Sequence, residues 1–179
     1  MLDSVLDTVF GLPTHVLVVH AAVVLIPLAA VAAAIFAVVP RWRRPLRWWV
    51  VLVTLAATAA VPVATETGQH LQRRLGEQGA LTGGVATAVS THAARGEQMK
   101  WFVIPLLVLV LLLVWLDMQR PSRPASAYGG PMVRSRQSLV LKIVAVLTLA
   151  AALATTVQVV RVGHSGSAAV WQPVVQQPR

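Results

Sequence analysis

The chain has 179 residues, of which 56% are hydrophobic and only 12% are charged, and its mean hydropathy is +0.71. A soluble domain carries about 25% charged residues, so this composition excludes an ordinary soluble protein. The formal net charge of +9 is of the kind found in nucleic-acid-binding proteins, and the positions of the basic residues decide whether that function applies.

The first residues predict a short helix lying in the membrane interface. Its apolar side chains fall on one helical face, namely Leu2, Val5, Leu6, Val9 and Phe10. Gly11 ends this segment, and Pro13 suits the first turn of the helix that follows. A cleavable signal is not predicted, because such signals begin with a basic region and this chain begins with Met1-Leu2-Asp3.

Four apolar segments predict membrane-spanning helices, at about residues 12–39, 48–66, 97–117 and 139–160. Their hydrophobic runs are continuous rather than alternating, which favours helices over a transmembrane barrel. We therefore predict an all-α fold, an integral membrane four-helix bundle, as one domain over residues 1–166.

The connections between these helices differ in composition. Residues 65–100 form the main outer loop, with helical extensions of the second and third helices that are broken near Gly83-Gly84. Residues 121–131 predict a flexible cytoplasmic linker, and residues 167–179 a loosely ordered outer tail. Alanine clusters predict close helix packing at Ala29, Ala30 and Ala33, at Ala56, Ala59 and Ala60, and at Ala150, Ala151 and Ala154.

The basic residues are concentrated on one side of the predicted bundle. Nine of them, against the single acidic residue Asp117, lie in the first and third connections or just inside the fourth helix, a net +8. They are Arg41, Arg43, Arg44, Arg47, Arg120, Arg123, Arg134, Arg136 and Lys142. The positive-inside rule then places both termini outside the plasma membrane. The charge thus indicates orientation and attraction to anionic lipids of the cytoplasmic face, and it gives no support to nucleic-acid binding.

All five histidines are predicted on the opposite, outer side. At 1.5 Å per helical residue, His15, His20, His70, His92 and His164 lie roughly 30–37 Å from the cytoplasmic ends of their helices. His15 and His20 are five residues apart and do not aim at one point, so we take His20, the deeper of the two, as the better candidate. Glu66 and His70 are four residues apart and share a helical face.

Three interpretations of this histidine layer remain open. A b-type haem needs two imidazoles on facing helices, which His20, His70, His92 and His164 supply, with Arg161 as a partner for a cofactor carboxylate. A divalent metal such as zinc or copper needs three or four ligands, which would come from His20, Glu66, His70, His92 and His164. In the third interpretation the histidines only cap helices and form hydrogen bonds at the headgroup boundary.

Several motifs resemble those of a bacterial family of four-helix membrane proteins of unknown function. The segment from Gly11-Leu12-Pro13-Thr14-His15 through Val19-His20, followed by Leu25-Ile26-Pro27-Leu28, resembles the family's opening. Thr91-His92 and Gly163-His164-Ser165-Gly166 resemble its later histidine motifs. Actinobacterial members look closest. The family is similar in layout to two-haem b-type membrane cytochromes. Some relatives resemble fusions to Rieske or cytochrome-like domains, which implies electron transfer with a redox or respiratory partner protein.

The expected function follows from these observations. We predict an electron carrier or accessory membrane protein with a haem or metal centre in its outer layer. The alternatives are a non-catalytic subunit or scaffold of a larger complex and a divalent-metal-binding membrane protein. A hydrolytic enzyme is not predicted, because no carboxylate pair or nucleophile–base set is visible, and the chain has no cysteine.

Overall fold

The computed structural model describes residues 8–9, 11–119 and 131–175. Its elements, in chain order, are β1 (Thr8–Val9), β2 (Leu12–Pro13), α1 (Thr14–Val38), a 3-10 turn (Pro40–Trp42), α2 (Arg43–Glu77), α3 (Gly83–Gln98), α4 (Lys100–Met118) and α5 (Pro131–Val175). Met99 keeps helical dihedral angles, so α3 and α4 continue into each other. Among the described residues, four helical stretches are long and apolar enough to cross a membrane, which confirms the predicted all-α membrane bundle.

The described N-terminal residues differ from the predicted interfacial helix. Thr8–Val9 pairs antiparallel with Leu12–Pro13, and Gly11 adopts a positive φ of 77° in the turn between them. Glycine tolerates this left-handed conformation, in which a Cβ atom would be strained. Residues 8–9 are therefore extended rather than helical, and residues 1–7 and 10 of the predicted helix lie outside the described residues.

The helices are longer than the apolar segments alone predicted. Helix α2 continues to Glu77 and α3 begins at Gly83, so the expected break near Gly83-Gly84 is confirmed. Helix α5 continues to Val175 through residues predicted as a loose tail, which include the good helix formers Ala168 and Ala169. The predicted linker at 121–131 lies outside the described residues, except for Pro131 at the start of α5.

Neighbouring helices in the bundle are α1 and α2, α2 and α4, α4 and α5, and α5 and α1. Helices α1 and α4 therefore lie across one diagonal and α2 and α5 across the other. The core contains the buried Phe36, Val50 and Leu113 in one half and Ile26 and Val61 in the other. Large apolar residues on the outer surface are exposed, as expected for side chains in contact with lipid.

The alanine clusters are only partly used for packing. Ala29, Ala30 and Ala33 of α1 are buried, as predicted. Ala59, Ala150 and Ala154 are exposed, so the prediction is wrong there. On α2 and α5 the buried faces instead carry threonines, whose hydroxyls donate to carbonyls of their own helix.

The two halves of the bundle repeat one pattern of burial. Six of the seven buried residues of α1 have a buried counterpart 77 positions later, namely Met99, Val103, Leu106, Val110, Leu113 and Val114. All six buried residues of α2 have a buried counterpart 98 positions later, namely Leu141, Thr148, Ala152, Thr155, Val159 and Ser165. The hairpin of α1 and α2 is thus equivalent to a second hairpin, in which the continuous helices α3 and α4 form one arm and α5 forms the other.

One arginine joins three helices at the end of the bundle where α1 ends, which we call the arginine end (Arg41, Arg43, Arg44, Arg47 and Asp117). Arg43 is 4% exposed, and its guanidinium donates to the carbonyls of Phe36 at 3.0 Å and Ala37 at 2.8 Å. These carbonyls lie in the last turn of α1, where intrahelical partners are lacking. The same guanidinium lies 3.5 Å from Asp117 of α4, so α1, α2 and α4 meet at this side chain.

We predict that Arg43→Ala lowers the free energy of unfolding by about 3 kcal/mol, because it leaves buried carbonyls and part of a buried carboxylate without a partner. The measurement is reversible unfolding of the purified protein in mixed micelles with increasing denaturing detergent. Arg44→Ala is the control, since Arg44 lies in the same turn but is exposed. Equal losses in the two variants would contradict the role assigned to Arg43.

Candidate functional site

His15 is hydrogen-bonded to α2, and its ring packs against a glycine of that helix. It is the second residue of α1, and its Nδ1–H donates to the carbonyl of Ala64 at 3.1 Å, with the Thr67 hydroxyl 3.4 Å away. The ring lies so close to Gly68 that a Cβ atom there would be 3.0 Å from its Cε1 atom. The ring therefore occupies space on α2 that only glycine leaves open.

His92 is held against α5 in the same way. Its Nδ1–H donates to the carbonyl of Val162 at 3.2 Å, and the Ser165 hydroxyl lies 3.4 Å away. A Cβ atom at Gly166 would again be 3.0 Å from the Cε1 atom of the ring. In both cases the accepting carbonyl is four residues before the glycine and the hydroxyl is one residue before it.

These contacts follow the repeat found in the burial pattern. His92 is 77 positions after His15, and Val162, Ser165 and Gly166 are each 98 positions after Ala64, Thr67 and Gly68. The same two offsets relate the buried residues of the two hairpins. The histidines are therefore equivalent members of two equivalent hairpins.

The two imidazoles lie edge to face, both partly buried, at what we call the histidine end (His15 and His92 with their partner residues). Their ring centroids are 6.3 Å apart and their planes are inclined at 72°. A carbonyl only accepts hydrogen bonds, so each Nδ1 carries the proton and each Nε2 keeps its lone pair. Within the described part of the chain, no residue forms a hydrogen bond with either Nε2 atom.

Groups around the pair tie α3 to α5. Gln158 is 2% exposed, and its side-chain amide donates to the carbonyl of Arg95 at 3.1 Å. The Arg95 guanidinium in turn lies 3.4 Å from the carbonyl of Arg161. These contacts fix the turn of α3 that carries His92. A separate open cavity of about 530 Å³ lies between the last turns of α2 and the segment that follows it. Its lining residues are Gln69, Gln72, Arg73 and Leu81, and none of the histidines lines it.

Among the predicted site residues, only His92 belongs to the central pair. His20 is exposed, and its Nδ1–H donates to the carbonyl of Val16 in its own helix at 2.6 Å. Glu66, Arg161 and His164 are exposed, whereas His70 is half-buried and lies two residues beyond Gly68, on the other side of α2. Over the described residues, no group of three or more His, Cys, Asp or Glu side chains is arranged to hold a metal ion.

The preference for His20 over His15 rested on depth, and the structure places His15 in the pair instead. Helix α1 is apolar around its full circumference, so its hydrophobicity does not reveal which side faces the bundle. The spacing of alanines does carry this information. Ala22 and Ala29 follow His15 at intervals of seven residues and are buried, which puts His15 on the packed face.

Comparison with known proteins identifies the family of the chain. Residues 11–178 match the model of the family DUF2231, described as a predicted membrane protein, so the chain belongs to this family. Together with the four apolar helices, this establishes an integral membrane protein. No curated protein and no solved structure matches the chain.

We predict that Gly68→Ala and Gly166→Ala destabilise the protein by similar amounts, about 1–3 kcal/mol each, because the new methyl group overlaps a histidine ring. Thermal unfolding in detergent measures both. Gly163→Ala is the matched control on α5, since nothing lies within 4 Å of a Cβ atom there. Its effect should be neutral or stabilising. A tolerated Gly166→Ala, or unequal effects at the two equivalent glycines, would contradict the description of the site.

Proposed function

We propose that this membrane protein binds one b-type haem between His15 and His92 and serves in electron transfer. The observation that carries the proposal is the pair of imidazoles 6.3 Å apart, each anchored through Nδ1 to a backbone carbonyl. Histidines that bind metals almost always donate their other ring N–H to such an acceptor, which fixes the tautomer and the ring orientation. Bound there, the haem iron would accept and release one electron.

The separation of the rings would suit two histidines that hold one iron between them. A ligating nitrogen lies about 2.0 Å from its metal and about 1.1 Å from its own ring centroid, so the centroids of two such imidazoles on opposite sides would be about 6.2 Å apart. The observed centroid distance is 6.3 Å. Two imidazoles bound to a tetrahedral ion would be closer together, at about 5.1 Å.

The number of ligands also favours haem over a bare divalent ion. The porphyrin supplies four ligands to its iron, so the protein has to supply only two. Zinc sites take three or four protein ligands, and the described residues bring no such group together. Zinc or copper bound by the pair alone is the weaker alternative.

The residues beside the pair are small or cationic. Helices α2 and α5 lie across the other diagonal from the two histidines, and Thr67 and Gly68, and Ser165 and Gly166, contact the imidazoles. The two glycines let the imidazoles lie against these backbones, so a haem would lie between the imidazoles. Arg95 and Arg161, which contact each other on α3 and α5, and Lys100 at the start of α4 are the cations that would hold its propionates.

A second candidate is a non-catalytic membrane subunit or scaffold. It is favoured by the same hydrogen bonds, because each histidine joins two helices and therefore also acts as a packing contact. In that case the rings stabilise the bundle and need no further ligand.

The family resemblance and the charge distribution support a location in a bacterial plasma membrane, with both termini outside. The histidine end would then face the outside of the cell, within reach of a redox partner protein. The arginine end would face the cytoplasm.

For the haem, we expect purified protein from haem-supplied cells to show a Soret band and sharp low-spin bands on reduction with dithionite. His15→Ala and His92→Ala should each abolish the low-spin spectrum, because each removes an axial ligand. His20→Ala and His164→Ala are the controls, since both side chains are exposed and lie outside the pair.

Absence of any Soret band would refute the haem, and metal analysis of the same samples would then detect zinc or copper. If neither is present, and His15→Ala only lowers the melting temperature, the scaffold function stands. Loss of haem in His20→Ala but not in His15→Ala would overturn the ligand assignment.

For the orientation, single cysteines give unambiguous labels because the natural chain has none. We expect Gln78→Cys, exposed between α2 and α3 at the histidine end, to react with an impermeant maleimide on intact cells. Arg41→Cys, exposed at the arginine end, should react only after lysis. The reverse pattern would show that the termini lie inside.

A further inference from the structure

The arginine end has more positive charge than its described neighbours neutralise. Arg43 and Arg47 share one carboxylate, that of Asp117, at 3.5 Å and 3.3 Å. Among the described residues, the other acidic side chains are Glu66, Glu77 and Glu97, and all of them lie toward the opposite end of the bundle. Two guanidiniums and one carboxylate therefore leave a net positive charge in a half-buried position.

Arg47 also has a hydrogen-bond donor that its surroundings leave unused. Its Nη2 atom binds Asp117, but its Nε atom is buried and has no hydrogen-bond partner among the described residues. The side chain as a whole is 22% exposed, so it reaches the surface of the bundle. The accessible part of the guanidinium can therefore donate to acceptor oxygens of a ligand at the bundle surface.

The surrounding side chains place this group at the level of lipid headgroups. Four tryptophans of this end are exposed on the bundle surface, namely Trp42, Trp48, Trp49 and Trp115. Tryptophan concentrates at the boundary between hydrocarbon and headgroups. Arg44 is exposed on the first turn of α2, and the Arg41 guanidinium lies 5.9 Å from the centre of the Trp42 ring.

We propose that Arg47 binds the phosphate of one anionic phospholipid at this end of the bundle. A guanidinium presents a planar fork of N–H groups that matches a phosphate, and a phosphodiester supplies the negative charge that this end lacks. This site differs from the general attraction of a basic surface for anionic lipid, because it depends on one half-buried side chain. It is independent of any cofactor at the histidine end.

The experiment is native mass spectrometry of the full-length protein in detergent, titrated with phosphatidylglycerol or with phosphatidylcholine. We expect one phosphatidylglycerol per protein to bind about tenfold more tightly than phosphatidylcholine. Arg47→Gln should lose this preference. Arg44→Gln should keep it, because it removes the same charge from an exposed position on the same helix.

Arg47→Lys guards against a folding defect in Arg47→Gln, because it keeps the charge and loses the guanidinium fork. It should fold and still bind phosphatidylglycerol several-fold more weakly. If neither variant folds, the wild-type titration decides, and absence of a single preferred adduct would refute the site. Equal losses in Arg44→Gln and Arg47→Gln would refute it as well, since they indicate general charge attraction.

Glycerol phosphate and inorganic phosphate, added as competitors, distinguish the source of the ligand. Failure of both to displace the lipid supports a headgroup site that also requires the acyl chains. Displacement at micromolar concentration supports the same phosphate chemistry with a soluble ligand.

Discussion

The packing of a histidine ring against a glycine of the neighbouring helix determines the geometry of the histidine end. His15 and His92 reach from one helix to a glycine of the next, and each donates to the carbonyl four residues before that glycine. The ring replaces the missing side chain in the packing, and the hydrogen bond fixes its rotation. Each helix pair is thereby held at one spacing, and the hydrogen bonds that hold the two rings use their Nδ1 atoms.

The opposite end is held together by charge. Arg43 satisfies two carbonyls of α1 and pairs with Asp117 of α4, so a single buried side chain replaces the water that a helix end would find in solution. Between the two ends the buried threonines of α2 and α5 donate to their own backbones, and Thr155 additionally lies 3.2 Å from the carbonyl of Phe102. Most interactions between polar groups of different helices are therefore concentrated at the ends, where the candidate functions also lie.

The sequence predicts the architecture well and the site only in part. Long apolar runs have one stable form in lipid, so the four helices and the break near Gly83 follow from composition and glycine alone. The choice between His15 and His20 needs the rotation of α1, and an apolar helix in lipid gives no hydrophobic signal for rotation. Small residues give that signal instead. The role of Gly68 depends on a ring from another helix, which spacing within α2 does not reveal.

The internal repeat separates what the two hairpins share from what distinguishes them. They share the histidine, the hydroxyl and the glycine at the histidine end, so the two histidines lie in equivalent surroundings. At the arginine end the equivalence fails, because the position of Arg43 is occupied by Leu141 in the second hairpin. A single charged group on one side of the bundle suits a ligand held at its edge, in contact with lipid. The symmetric end would thus suit the proposed haem between the two hairpins, and the asymmetric end the proposed lipid at the bundle surface.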